Sequence, residues 1–135
     1  MNNGTSQRAV LIVEDAETCA STLEIIFSSI RGLKILTAPS ATRAWELLES
    51  RSEDIRALVT DLHMPGMDGF ELIDRVRMDQ LHGAMPIVVI TGSTDPYVSD
   101  RLRQRGVNAV FAKPYSPALV REKLEQLLEN GNQID

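Results

Sequence analysis

The sequence predicts an α/β fold, a doubly wound, five-stranded parallel sheet with five helices. Short apolar runs typical of buried strands alternate with segments whose apolar residues recur at helical spacing. The alternation occurs five times, at intervals of roughly 25 residues, as expected for consecutive βα units. The first and the fourth of these runs contain no polar residue, which favours strands covered by helices on both faces.

The first βα unit and the second strand are predicted from the N-terminal part of the chain. Ala9 to Val13 is a continuous apolar run, which predicts the first strand. Between Ala16 and Ile30 four apolar residues recur at helical spacing and define one buried face of a helix, namely Ala20, Leu23, Phe27 and Ile30, and Gly32 is the expected end of the helix. Leu33 to Leu36 predicts the second strand, in which Lys34 indicates a position at the edge of the sheet.

Two helices in the middle of the chain follow predicted cap residues. Ser40 is the expected N-cap of the second helix and Asp68 that of the third, because short oxygen-bearing side chains accept hydrogen bonds from free helical N–H groups. The third strand is expected at about Arg56 to Thr60. The predicted buried faces consist of Ala41, Ala44, Trp45 and Leu48 in the second helix, and of Leu72, Ile73 and Val76 in the third.

Pro86 to Ile90 is a fully apolar run and predicts the fourth strand. Asp95 followed by Pro96 predicts the start of the fourth helix, and Gly106 marks its end. This helix has only two strong apolar residues, Val98 and Leu102, and three arginines on its outer side. We therefore expect it to be the least firmly packed of the five.

Ala109 to Ala112 predicts the last strand, and Ser116 the cap of the last helix. The buried face of that helix is expected to hold Val120, Leu124, Leu127 and Leu128. We expect residues 9–129 to form the domain, with a flexible tail at residues 1–8 and a frayed tail at 130–135.

Length and composition favour one intracellular domain. A chain of 135 residues suits a single core, and a net charge of -5 without a basic run argues against direct nucleic-acid binding and for protein or cation partners. Cys19 is the only cysteine, which excludes an internal disulfide or a cysteine zinc site and favours the reducing cytoplasm. The N-terminus is unlike a signal peptide, and no apolar run reaches the roughly 20 residues that span a bilayer. We expect a cytoplasmic protein without a membrane segment.

Polar residues follow four of the predicted strands. Glu14 and Asp15 follow the first, Asp61 the third, Thr91 the fourth and Lys113 the fifth. Each residue alone has an ordinary explanation as a cap or a solvated loop residue. Because the carboxyl ends of parallel strands lie at one edge of the sheet, where ligands bind, their coincidence predicts a shared site.

Electrostatics restricts the chemistry of this site. Two carboxylates ~4 Å apart repel each other by roughly 4 kcal/mol at an effective dielectric constant near 20, so a proton or a cation must be shared. Oxygen ligands without cysteine favour Mg²⁺ (or Mn²⁺) over zinc. Lys113 adds a positive charge and Thr91 a hydroxyl donor. Together these groups predict a site that handles a phosphoryl group.

From Val10 to about Leu128 the chain resembles the receiver domain of two-component response regulators. The acidic pair appears as Val13-Glu14-Asp15, and the phosphoacceptor motif as the segment from Asp61 to Gly69. The hydroxyl residue is matched by Thr91-Gly92, and the lysine and proline by Lys113-Pro114. The resemblance implies a flavodoxin-like sheet with strand order 2-1-3-4-5.

The resemblance also implies the role of each site residue. Asp61 would take a phosphoryl group, with Thr91 binding the new phosphoryl oxygen and Lys113 neutralising charge. The metal ligands would be Asp15, Asp61, Glu14 through water and the backbone carbonyl of His63. A cis peptide bond is implied between Lys113 and Pro114. The protein would be a signalling switch whose only catalysis is its own phosphorylation and dephosphorylation.

Four positions depart from the family pattern or vary within it. The usual switch aromatic is replaced by Val110, and Phe111 next to it faces the opposite side of the strand by alternation. The first acid is Glu14 rather than the commoner Asp. His63 and Ser93 occupy positions that tune phosphoryl lifetime in the family.

The resemblance implies a sensor histidine kinase or a phosphotransfer protein as phosphoryl donor. It also implies a downstream partner on the face near Arg101, Val110 and the last helix, or an attached output domain, and leaves open a homodimer formed on phosphorylation. The alternative function is a receiver-fold interaction module that acts regardless of phosphate. A metal-dependent phosphatase would need a second acid where this chain has His63, and an FMN carrier would not have an acidic first loop.

Overall fold

The parallel sheet and its flanking helices are present as predicted. The structure is a computed structural model, which describes residues 7–93 and 95–131. Within these residues the strands run in the order β2-β1-β3-β4-β5, and all neighbouring pairs are parallel. The elements are β1 (Arg8–Val13), α1 (Glu17–Phe27), β2 (Lys34–Ala38), α2 (Ala41–Ser50), β3 (Asp54–Asp61), α3 (Gly69–Met78), β4 (Ile87–Thr91), α4 (Pro96–Gln104), β5 (Ala109–Ala112) and α5 (Pro117–Gly131).

The core consists of two apolar layers, one on each face of the sheet. Alternate strand residues face opposite sides, because successive side chains of a strand point in opposite directions. Leu11 packs in the layer under α2, α3 and α4, whereas Val10 packs in the layer under α1 and α5. All predicted core residues of α3 and α5 are buried, namely Leu72, Ile73, Val76, Val120, Leu124, Leu127 and Leu128.

The predicted caps are confirmed. The side chains of Ser40, Asp68 and Asp95 accept hydrogen bonds from backbone N–H groups in the first turns of α2, α3 and α4. Ser116 Oγ accepts a hydrogen bond from Leu119 N at the start of α5. Because each cap satisfies an otherwise unpaired helical donor, these residues fix where the helices begin.

Several element ends differ from the prediction. α1 ends at Phe27 instead of Ile30, because the Ile30 amide bonds to the carbonyl of Phe27, three residues back, and the chain turns there. β2 extends to Ala38, since its last residues pair with the end of β1, and β3 begins at Asp54, which pairs with Arg8. As predicted from Lys34, β2 is an edge strand.

The predicted tails fall only partly within the described residues. β1 begins at Arg8, one residue inside the predicted N-terminal tail, and α5 extends to Gly131, inside the predicted C-terminal one. Residues 1–6 and 132–135 lie outside the described residues, so the division into domain and tails stays a prediction. In the part of the chain that the structure describes, no helix combines the length and apolarity that crossing a membrane requires.

Candidate functional site at the carboxyl ends of the strands

The predicted site residues lie at the edge of the sheet formed by the carboxyl ends of the strands, which we call the rim. Asp61 and Thr91 are the last residues of β3 and β4, while Glu14 and Lys113 follow β1 and β5 directly. Glu14 and Asp61 are each 6% exposed, and Thr91 is 1% exposed. These polar groups are therefore removed from water and depend on one another for compensation.

The Lys113 side chain lies next to both buried carboxylates of the site. Its Nζ lies 2.8 Å from Asp61 Oδ2 and 3.6 Å from Glu14 Oε1. Burial alone lowers the pKa of Lys113, but the hydrogen bond and charge of Asp61, aided by the charge of Glu14, raise it above its usual value. Lys113 is therefore the positive centre of the site.

The Asp61 carboxylate is fixed through both of its oxygens. Oδ2 accepts a hydrogen bond from Lys113, while Oδ1 accepts hydrogen bonds from the backbone amides of Leu62, at 2.6 Å, and His63, at 3.3 Å. Ammonium and backbone N–H donors form strong, directional hydrogen bonds with a carboxylate. Asp61 therefore lies at the rim in a single orientation.

Burial raises the pKa of Glu14, and the neighbouring Asp61 and Asp15 carboxyls raise it further. A hydrogen bond from the Ala16 amide, 3.1 Å from Glu14 Oε2, and the charge of Lys113 oppose this shift. The ammonium group of Lys113 thus faces the buried carboxylates of Asp61 and Glu14, and a third carboxylate, that of Asp15, lies near Glu14. The rim carries excess negative charge.

Two residues predicted to hold the metal have exposed side chains, but the predicted ligand atom of His63 is its backbone carbonyl, which the exposure of its side chain does not test. The Asp15 and His63 side chains are exposed, and Asp15 approaches Glu14 but is not bonded to Lys113. Across residues 7–93 and 95–131, no three His, Cys, Asp or Glu side chains form a cluster suited to a metal ion. Of the three carboxylates expected to crowd together, those of Asp61 and Glu14 lie within 4 Å of Lys113, and that of Asp15 neighbours Glu14.

Thr91 is oriented by the backbone around it. Its Oγ1 accepts a hydrogen bond from Ser93 N at 3.1 Å, which leaves the hydroxyl proton available for donation. Its carbonyl oxygen accepts a hydrogen bond from Lys113 N at 2.9 Å. The peptide bond between Lys113 and Pro114 is cis, as the resemblance implied.

The contacts of three residues near the site, Gly69, Tyr115 and Cys19, were not predicted by the sequence analysis. A Cβ at Gly69 would overlap the carbonyl oxygen of Asp61, so the start of α3 lies directly against the strand end. Tyr115 lies near Glu14 and Cys19, and burial together with these groups raises the pKa of its phenol. The presence of Gly69 at the end of the phosphoacceptor motif was the one signal in the sequence for the close approach of α3 to Asp61. Nothing in the sequence related Tyr115 to Cys19.

A family model described as the response regulator receiver domain matches residues 10–125. The chain belongs to this family. The receiver domain is 32% identical over 123 residues to a chemotaxis protein CheY homolog of Campylobacter jejuni, covering 91% of this chain and 94% of the relative. It is 32% identical over 119 residues to the chemotaxis protein CheY1 of Helicobacter pylori, covering 88% and 95%.

A solved structure of a response regulator from Chloroflexus aurantiacus has the same fold as this receiver domain. Its TM-score is 0.80 at 28% identity, over 93% of this chain and 99% of the other. The predicted sheet order 2-1-3-4-5 and the predicted family are both confirmed.

The receiver domain has no aromatic ring at its usual switch position. Val110 is 41% exposed on β5, whereas Phe111 packs into the layer under α1 and α5. The expectation from strand alternation, that Phe111 faces the opposite side, is therefore confirmed. An inward rotation of a ring at residue 110 is not available to this chain.

Proposed function

We propose that this receiver domain is a phosphorylatable switch in which Asp61 accepts a phosphoryl group from a phosphohistidine. The observation that carries this proposal is the buried Asp61 carboxylate, hydrogen-bonded to Lys113 at 2.8 Å at the end of β3. Membership of the receiver family supports it, since receiver domains are signalling switches.

In the proposed reaction one oxygen of Asp61 attacks the phosphorus atom. An O–P bond forms, the N–P bond breaks, and its electron pair stays on the departing imidazole. Lys113, already bonded to Asp61, neutralises the charge on the phosphoryl oxygens, and the Thr91 hydroxyl donates to one of them. The chain supplies orientation and electrostatic stabilisation.

The residues at the rim fit a hard divalent cation. Their donors are oxygens, and Glu14 and Asp61 together carry more negative charge than Lys113 balances. We infer that Mg²⁺ or Mn²⁺ would be held by Asp15, Asp61, the His63 carbonyl and Glu14 through water. When bound, the ion would neutralise charge on the phosphoryl oxygens.

We infer that a histidine kinase or phosphotransfer protein supplies the phosphoryl group, and that a downstream protein binds the face formed by α4, β5 and α5. Three apolar side chains are exposed there: Tyr97 at 68%, Val110 at 41% and Leu119 at 56%. Exposed apolar groups on adjoining elements are typical of protein contact surfaces. The chemotaxis names of the relatives favour a partner in a motility or related signalling pathway.

The test is the intact mass of the protein after incubation with acetyl phosphate and MgCl₂. We expect a single phosphoryl adduct, which does not form in Asp61→Asn or when EDTA is present throughout the incubation. Asp68→Asn is the matched control, since Asp68 lies in the same motif but caps α3, and it should keep the adduct. An adduct on Asp61→Asn would place the acceptor elsewhere, and no adduct on the wild-type protein would favour a phosphorylation-independent interaction module.

A further inference from the structure

α4 is held to the domain by little apolar packing. Within α4, Leu102 is the one fully buried side chain, Val98 is partly buried, and Tyr97 points largely to solvent. A helix with so few buried apolar groups depends on other contacts to keep its position. In this structure arginine side chains provide those contacts.

The contacts converge on one aromatic ring of α3. The Arg101 guanidinium carbon lies 3.9 Å from the centre of the Phe70 ring, and that of Arg105 lies 5.2 Å from it. Arg105 Nε also donates to Asp74 Oδ1 at 2.7 Å. We call these residues, Phe70, Asp74, Arg101 and Arg105, the Phe70 cluster. Guanidinium groups over an aromatic ring attract its negative face, so the cluster joins α4 to α3.

The guanidinium group of Arg101 lies in this cluster, over the Phe70 ring. Among the described residues it forms no salt bridge, and its two ring contacts are those to Phe70 and, at 6.0 Å, to Tyr97 of its own helix. Arg103, by contrast, is exposed and pairs with Asp100 on the same helix at 2.7 Å. Two arginines two positions apart therefore differ in whether they contact α3.

Phe70 is rigidly connected to the phosphoacceptor. It follows Gly69, whose amide donates to the Leu62 carbonyl at 2.9 Å and whose Cα lies too close to Asp61 to accept a side chain. A shift of Phe70 therefore moves the loop of residues 62–68, which we call the acceptor loop. Leu62 and His63 of this loop donate the amide hydrogen bonds that orient Asp61.

We propose that Arg101 and Arg105 are positioning residues for Asp61, acting through Phe70 and the acceptor loop. The position of α4 and the state of Asp61 then bias each other, and the coupling is reciprocal. This inference rests on the proposed function of Asp61 as phosphoacceptor. The proposed connection runs from α4 through Phe70 to the rim. It does not need a rotating aromatic ring on β5, where this chain has Val110.

The first test is hydrogen exchange on the unphosphorylated protein, which does not depend on phosphoryl transfer. In Phe70→Leu, which removes both ring contacts but keeps an apolar side chain, we expect α4 amides to exchange about tenfold faster. The acceptor-loop amides should also exchange faster, while α1 stays unchanged. Arg101→Met should act in the same direction, and Arg103→Met should leave both segments unchanged. The proposal is wrong if the acceptor loop exchanges at the wild-type rate in Phe70→Leu, or if Arg103→Met has the same effect.

The second test is the rate of adduct formation with acetyl phosphate at fixed MgCl₂. Arg101→Met and Phe70→Leu should react about threefold more slowly than the wild type, because Asp61 loses part of its orientation. Arg101→Lys should not restore the rate, since an ammonium lacks the planar group that stacks on the ring. If the α4 amides of these variants exchange faster but the variants react at the wild-type rate, the cluster only stabilises α4 and does not position Asp61. If the wild-type protein forms no adduct, the proposed function fails, and the acceptor-loop exchange alone decides on the coupling.

Discussion

At the scale of single residues, Lys113 supplies the positive charge of the rim. One ammonium group compensates the carboxylates of Asp61 and Glu14, both of which are almost fully buried. Removing one partner of a buried ion pair leaves an uncompensated charge, which is the expensive case. The rim already carries one negative charge more than Lys113 compensates. Binding a cation or a phosphoryl group there therefore changes the net charge of the rim.

Gly69 gives the sharpest prediction at this scale. Gly69→Ala should destabilise the domain by about 1–3 kcal/mol, because the new methyl group would overlap the Asp61 carbonyl and lie 2.7 Å from Leu62 Cα. The free energy of unfolding, from urea denaturation, measures the effect. Gly92→Ala is the matched control: it adds a methyl group near the same rim, with no heavy atom of the described residues within 4 Å apart from its chain neighbours, and it should change stability little. Equal effects of the two substitutions would contradict the structural explanation.

Residue types at strand ends could be predicted, but their mutual arrangement could not. The positions of Glu14, Asp61, Thr91 and Lys113 follow from strand periodicity alone. The outward side chain of Asp15 does not, because the direction of a loop side chain depends on local backbone hydrogen bonds such as that of Ala16 to Glu14. The close approach of Gly69 to Asp61 likewise requires three-dimensional information.

At the scale of elements, a charged link joins the ends of α2 and α3. Arg51, the C-cap of α2, has a left-handed backbone with φ of 56°, and its guanidinium lies 2.8 Å from Asp79, the C-cap of α3. Asp79 also lies 2.7 Å from the ring of His82, a side chain only 5% exposed. The link joins the carboxyl ends of two neighbouring helices, at the end of the domain remote from the rim.

This link predicts how stability depends on pH. The hydrogen bond from Arg51 lowers the pKa of Asp79 to about 2, with burial opposing the shift and His82 supporting it. Because the folded-state value lies below the ordinary value of 3.8, the stabilisation is complete above that pH and is lost as the pH falls toward about 2. Asp79→Asn should therefore be less stable than the wild type at neutral pH, and the difference should shrink below about pH 4.

Urea denaturation of both proteins at several pH values between about 2.5 and 7 tests this expectation. Asp100→Asn is a suitable control, because its carboxylate is exposed and pairs with an exposed Arg103. Exposed pairs of this kind contribute little to stability, so its difference from the wild type should stay small throughout. A constant difference for Asp79→Asn across the range would contradict the assigned cause.

Element types could be predicted from the sequence more reliably than element ends. Each helix start with a capping side chain was predicted correctly, since the cap is a local interaction between near neighbours. The ends of β2 and β3 were misplaced, because a strand extends as far as its partner allows and the partner is distant in sequence. The weak attachment of α4 was expected from its composition, but the arginine contacts to Phe70 were not.

At the scale of the whole molecule, the fold collects acidic groups at one end of the sheet. The chain carries a net charge of -5, and Glu14, Asp15 and Asp61 all lie at the rim. Like charges gathered at one place repel each other, which lowers stability until a counter-ion is present. The strand order that gathers them could be predicted only through the family resemblance, because periodicity does not specify which strands are neighbours.

This arrangement predicts that Mg²⁺ stabilises the folded domain. At a concentration ten times its dissociation constant, the ion should raise the free energy of unfolding by about 1.4 kcal/mol, provided that it binds the folded state alone. Thermal unfolding with and without MgCl₂ measures the gain, and EDTA should abolish it. Asp61→Asn should lose most of the response, whereas Asp68→Asn should retain it. A response that is equal in the two variants would place the ion outside the rim.

The backbone hydrogen bond between Lys113 N and the Thr91 carbonyl has a mechanical consequence. It ties together the two residues that carry the hydroxyl and the ammonium, even though Thr91 ends β4 and Lys113 follows β5. We expect a displacement of either peptide to draw the other in the same direction. The two donors would then approach an anion in concert, and a substitution that shifts one of them would misalign the other.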